Sequence, residues 1–212
     1  MDNAEPIRNE KLGANIVKAL ALRHFDAYYC ASSAEAAETI LSLIPKTDVV
    51  SWGGSMTMEA LGVIERVKNG GWRVIDRSTA RSQEEKIEIM RSALLCDTYL
   101  TGANAISEDG EIVNVDGNGN RVAAMTFGPK SVIVACGMNK VVKTVNDATS
   151  RARNTAAPVN AQRFDIRTPC KTTGTCADCK STDSICTYIV RTRLCKPAGR
   201  IKVVLIGEAL GF

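Results

Sequence analysis

The residues of this chain best suited to chemistry are concentrated near its C-terminal end. Cys170, Cys176, Cys179 and Cys186 fall within seventeen residues and make up half of the 8 cysteines. The segment is polar, with almost nothing apolar to bury, so a hydrophobic core contributes little to its order. Four thiolates around one metal centre would supply the missing energy. The spacing is Cys-x5-Cys-x2-Cys-x6-Cys. Its central pair places two thiolates on one turn, and the outer two can close a tetrahedral set. Zinc and a [4Fe–4S] cluster both accept four thiolates. The spacing matches neither a zinc ribbon nor the bacterial ferredoxin run. A cluster with a redox role is the preferred reading, with structural zinc second to it. The same four residues could also form two disulfides or stay as free thiols, and a reducing cytosol argues against disulfides. Gly174 lets the chain turn tightly, and Lys171 and Lys180 could offset the thiolates' charge.

Two further segments carry candidate ligand-binding groups. In Ser51-Trp52-Gly53-Gly54-Ser55-Met56-Thr57, an apolar strand runs into a glycine turn that opens a helix. Free backbone N–H groups there, with the hydroxyls of Ser55 and Thr57, suit a phosphate, a carboxylate or a nucleotide tail. A tight turn with a serine cap explains the same residues. The second segment runs from Thr101 through Gly102, Asn104 and Glu108 to Asn114 and follows the C-terminal end of a strand, where open α/β sheets bind ligands. Asn104 offers a donor and an acceptor, and a desolvated Glu108 could act as nucleophile or base. A solvated Glu-Asp-Gly hairpin tip is the plainer account.

The remaining side chains of interest read as structural. Cys30, Cys96 and Cys136 lie in or beside apolar segments and behave as small hydrophobes, and Cys195 is a bystander to the cluster. His24, the one histidine, ends a helix and interacts with its dipole. With that single histidine, Ser/His/Asp or Cys/His hydrolysis is excluded as a leading class.

Positioning these groups needs a scaffold, and the hydrophobic periodicity supplies one. Strands are predicted over 25–31, 48–54, 72–76, 97–101, 131–136, 188–194 and 201–207. Helices are predicted over 5–24, 36–44, 55–68, from the capping pattern Ser82/Glu85 to about residue 95, and over 122–126 and 141–155. Residues 105–115 alternate as a β-hairpin does. This order argues for right-handed βαβ crossovers and a mostly parallel sheet covered by helices on both faces. The chain has 212 residues, 45% of them hydrophobic, which suits one domain with a Cys loop at 168–190. Net charge is +4 without a basic stripe, so nucleic acid is not an expected partner. No apolar run approaches the ~20 residues of a membrane span. The first residues have no basic start or apolar core, so a cytoplasmic location is expected.

Several of these segments resemble the LUD-domain (lactate-utilisation) family. They are Trp52 to Thr57, Gly102 to Asn114, Gly128 to Gly137, and the stretch from Val203 to Phe212. The resemblance covers the chain from about residue 10 onward, most specifically across 102–137. It implies the ribose-5-phosphate isomerase and CoA-transferase-like superfamily, a Rossmann-like three-layer α/β sandwich. It also implies a tie to lactate or related 2-hydroxy-acid metabolism. The leading hypothesis from the residues is a small anionic ligand contacted by Gly53, Gly54 and Ser55, with Thr57 adding a hydroxyl and Gly102, Asn104 and Glu108 forming the facing wall. The cysteine segment looks like that of a single-domain branch ending in such a loop, which implies the iron–sulfur cluster and a redox partner protein. The paired ferredoxin runs of some larger relatives are missing. In the related CoA transferases a glutamate of a Glu-x-Gly turn forms the acyl intermediate, and Glu108-Asp109-Gly110 has that form. The resemblance therefore also allows a transferase or isomerase acting on a CoA thioester or sugar phosphate, with structural zinc. A non-catalytic accessory protein is the third reading, and fold analogy suggests a homodimer.

Overall fold

The computed structural model describes residues 4–212. Helices and strands alternate through the first half: α1 (Ala4–Leu22), β1 (Asp26–Cys30), α2 (Ser33–Ser42), β2 (Val49–Trp52), α3 (Met56–Ala60), α4 (Val63–Asn69), β3 (Arg73–Ile75), α5 (Gln83–Ser92) and β4 (Thr98–Gly102). There follow β5 (Ala105–Ser107), β6 (Ile112–Asp116), α6 (Asn120–Thr126), β7 (Ser131–Gly137), β8 (Val141–Val142) and α7 (Val145–Arg151). The chain closes with a π-helical turn (Ala152–Ala156), α8 (Ala157–Ala161), α9 (Pro169–Thr173), β9 (Tyr188–Thr192) and β10 (Ile201–Ile206).

Six strands form one sheet in the order β1-β10-β7-β4-β2-β3, every pair parallel. Its central strands are apolar on both faces, as a doubly covered parallel sheet requires. Along β7, Val132, Val134 and Cys136 point to one side, where Ile16 and Leu20 of α1 and Met125 of α6 cover them. Ile133 and Ala135 point to the other, with Ile40 of α2 and Val63 and Val67 of α4. This period-two alternation divides the core into two layers. The expected three-layer sandwich is therefore present. A second sheet, β8-β5-β6-β9, holds the predicted hairpin as its β5–β6 pair. Ala148 and Ala152 pack beneath it.

Two predicted helices have different bounds. The helix expected over 55–68 is two helices, because Gly62 adopts φ 65, a left-handed conformation that ends one turn and starts another. The helix expected over 141–155 begins later, since Val141 and Val142 pair with β5 instead. Thr144 then opens α7 with a full capping box to Asp147. Nor does that helix stop before Pro158. The wider π turn at Ala152–Ala156 precedes the proline, which has no N–H to donate and is tolerated at the opening of the next helical turn. Among the described residues, no helix is long and apolar enough to cross a membrane.

Candidate functional site

The order of the sheet creates a crevice between β2 and β4. From β2 the chain goes outward to β3 through α3 and α4 on one face. From β4 it goes the other way, to β7, through β5, β6 and α6, with α6 on the face covered by α1. The connections diverge at the C-terminal ends of β2 and β4, the switch point where open α/β sheets bind ligands. A cleft opens there. Gly54 and Ser55 line it from β2, Gly102 and Asn104 from β4, and Arg121, Lys140, Asn160 and Arg163 from the segments behind.

Arg121 is the best anchored of these. Its Nη2 donates to Asn104 Oδ1 (3.1 Å) and to the Val115 carbonyl, and its Nε lies 3.8 Å from Asp116 Oδ2. Asp116 also accepts from the backbone N–H of Arg121 and Val122, fixing the start of α6. Arg121 can lie so close to the glycine turn because Gly53 has no side chain. A Cβ there would meet Arg121 Cδ and Tyr99 Oη at 3.0 Å. Gly102 is similar, since a Cβ would stand 2.7 Å from Ser55 Oγ. Both glycines thus shape the cleft by admitting neighbouring side chains.

Lys140 is 3% exposed and makes no ion pair among the described residues. Its Nζ donates to Thr57 Oγ1 at 2.7 Å. Burial pushes its pKa down, and the charges of Arg151 and Arg121 act in the same direction. Cys136 opposes this only as a thiolate, and its complete burial raises its own pKa, so it stays protonated. Arg163 is exposed at the mouth, where its guanidinium lies 5.9 Å from the centre of the Phe212 ring. No side-chain carboxylate, histidine or cysteine lines the cleft. It is a cationic receptor with two amides, Asn104 and Asn160; the Oδ1 of Asn104 is held by the Val115 N–H and Arg121, leaving its Nδ2 to donate.

The residues expected from the sequence meet here only in part. Gly54, Ser55, Gly102 and Asn104 line the cleft. Ser55 Oγ accepts from Met58 N–H (3.2 Å), so it also caps the five-residue α3. Thr57 is not among the lining residues; its hydroxyl accepts from Lys140 Nζ and donates to the Leu210 carbonyl. Glu108 is not brought to the cleft. It lies at the β5–β6 turn with Lys143 Nζ 2.6 Å from its carboxylate. Arg121, Lys140 and Arg163 carried no signal in the sequence, because each comes from a different segment and none belongs to a motif.

The four clustered cysteines line one cavity, together with Arg153, Ala157, Pro158, Thr168, Ile185 and Ile189. Cys170 sits on α9, which Gly174 ends at φ 76. Thr168 Oγ1 lies 3.3 Å from Cys170 Sγ, and Arg153 Nη2 lies 3.9 Å from Cys176 Sγ while also binding Asp178. The Cys186 thiol is pushed up to about 11, first by burial and then by negative charge on the other three sulfurs. Lys171 is bound to the carbonyls of Gln162 and Phe164, so Arg153 is the cation beside the thiols. Among the described residues, no three Cys, His, Asp or Glu side chains are disposed to hold a single metal ion. Cys30, Cys96, Cys136 and Cys195 are buried, and Cys195 Sγ accepts from Ile201 N–H. His24 follows α1 in a left-handed conformation, with φ 69.

The comparisons agree with this fold. The family model described as the LUD domain matches residues 14–206. A crystal structure of a DUF162 family protein from Deinococcus radiodurans superposes with a TM-score of 0.55, covering 93% of this chain and 97% of that one at 14% identity. It shares the fold. The eIF2B delta subunit from Chaetomium thermophilum aligns over 55% of this chain and 50% of its own at 18% identity, with a TM-score of 0.33, too low to carry an argument. No curated protein matches the chain significantly. The matched span takes in the whole parallel sheet, the second sheet and the cysteine segment, and the chain therefore belongs to the LUD-domain family, which is related to lactate utilisation.

Proposed function

We propose that this LUD-domain protein binds the carboxylate of lactate or a related 2-hydroxy acid in the cationic cleft. We propose also that it carries a [4Fe–4S] cluster with a redox role on Cys170, Cys176, Cys179 and Cys186. The observation that carries this reading is adjacency. Ala157 and Ile185 line both the cleft and the thiol cavity, so the two share a wall. Four thiols facing one cavity fit a cluster as a donor set. A cluster bound there would supply one-electron chemistry.

The chain's own residues do the rest. Arg121 and Arg163 hold the carboxylate, and Asn104 Nδ2 orients it. Lys140 faces the neighbouring carbon. Met56, Val115 and Phe212 exclude water from the lining. Arg153 and the Thr168 hydroxyl lie beside the sulfurs, where such neighbours tune a centre's potential. Electrons leaving the protein would pass to a redox partner protein.

Anaerobic purification with metal analysis and visible absorption tests the cluster, and calorimetry with lactate, pyruvate and phosphate tests the cleft. A brown protein with about four irons per chain supports the reading. A colourless protein with one zinc, or one with no metal under oxygen-free handling, sinks its redox part. Failure of every carboxylate to bind sinks the cleft assignment.

A further inference from the structure

We propose that Lys140 is a nucleophilic amine, and that the cleft takes 2-oxo carboxylic acids as imines on its Nζ. The inference rests on the cleft being a carboxylate receptor, and it adds a covalent step there. The geometry supports it in three ways. Lys140 is buried in the cleft wall without a carboxylate partner. Desolvation beside another cation is the arrangement that keeps a lysine amine neutral and nucleophilic, and Arg121 shares the same cleft. Finally, the hydrogen bonds leave the amine's lone pair available. The Thr57 hydroxyl donates its one proton to the Leu210 carbonyl (3.3 Å), so it must accept from Lys140 Nζ. That bond consumes an N–H of the amine and not its lone pair.

The groups around Nζ come from several elements. Thr57 belongs to α3, Arg121 to α6, Arg151 to α7 and Cys136 to β7. The backbone of Gly211 also approaches, with a Cβ there standing 3.0 Å from Nζ. None of the four side chains supplies a negative charge, since Thr57 cannot ionise and the Cys136 thiol stays protonated.

The step balances without an oxidant. Nζ attacks the carbonyl carbon, and the carbonyl π pair passes to oxygen. Proton transfer from nitrogen to oxygen gives a carbinolamine. Water leaves with the former carbonyl oxygen, and a C=N bond remains. A carboxylate held by the guanidinium of Arg121 places the adjacent carbonyl toward the amine. Phosphate, lacking an electrophilic carbon, could occupy the cleft but could not react.

Reductive trapping tests this on the intact protein. The chain is incubated anaerobically with glyoxylate or pyruvate plus cyanoborohydride, digested, and mapped by mass spectrometry. The expected result is one dominant adduct, a carboxymethyl or carboxyethyl group on Lys140, with exposed lysines modified at least tenfold less. Excess lactate, which occupies the cleft but has no ketone or aldehyde carbon, should suppress it. Lys140→Arg removes the nucleophilic amine and should abolish trapping at position 140, with folding checked by thermal unfolding. Labelling spread over the exposed lysines, with Lys140 unmodified, overturns the proposal. If lactate binds but no adduct forms, the imine is wrong and the carboxylate receptor stands. If no carboxylate binds and none is trapped, both fail.

Discussion

Replacing Gly53 by Ala separates two accounts of the glycine turn. The sequence reads this glycine as room for a ligand. In the structure the room is filled by Arg121 and Tyr99. An added Cβ would meet Arg121 Cδ and Tyr99 Oη at 3.0 Å and Arg121 Cγ at 3.1 Å. Arg121 must yield by a few tenths of an ångström, yet its guanidinium is tied to Asn104, Val115 and Asp116. Gly53 does not occupy the left-handed region, so the methyl group itself adds no backbone strain. Overpacking of this kind costs about 1–3 kcal/mol. For a chain of this size that lowers Tm by about 2–12 °C. The assay is thermal and urea unfolding of Gly53→Ala alone and combined with Arg121→Ala. The double variant lacks Cγ and Cδ at position 121, leaving only the Tyr99 contact. The cost of Gly53→Ala should then shrink by about 0.5–3 kcal/mol, the coupling expected of touching residues. An equal cost in both backgrounds would refute the argument. So would an unchanged Tm with lost anion affinity, which would return Gly53 to the ligand.

Three further outcomes are expected. Cys195→Ser should keep the iron content of the anaerobically purified protein, whereas Cys176→Ser should lose most of it, because Cys195 is buried in the core and outside the four-thiol cavity; equal iron loss, by metal analysis, contradicts this. Gly62→Ala should destabilise by about 1–2 kcal/mol through its left-handed backbone alone, since nothing lies within 4 Å of the added Cβ; urea titration with an unshifted midpoint would count against it. Glu111, 3% exposed, is held below its ordinary pKa first by the hydrogen bonds of Arg191 and then by the charge of Arg23. A depressed carboxyl stabilises above its unfolded value and loses that contribution as pH falls through the lower folded one. The stability gap between wild type and Glu111→Gln should therefore be widest near neutrality and narrow in acid. Urea unfolding across pH that gives a constant gap would disprove it.

Local pattern carried much of the architecture into the sequence. The runs at 131–136 and 201–207 are largely apolar on both pleats, which marks buried parallel strands before any partner is known. Cysteine spacing likewise singled out Cys170, Cys176, Cys179 and Cys186, which line one cavity, because all four fall within a short stretch of chain. The glycine turns at Gly53–Gly54 and Gly102 were visible too, since their signal is local.

The tertiary structure alone decided what those turns face. Strand order depends on pairing between distant segments, and only the order β7-β4-β2 opens a crevice beside Gly54 and Gly102. Arg121, Lys140 and Arg163 look like ordinary surface cations along the chain. Lys140 becomes a buried, unpaired amine only because α3 and the segment ending at Phe212 close around it. The shared wall of Ala157 and Ile185 depends on a helix that continues through Pro158 on a π turn, where sequence rules end it. Periodicity reports which face of an element is buried. Which charges meet across the buried space is set by long-range packing, and no local window contains it.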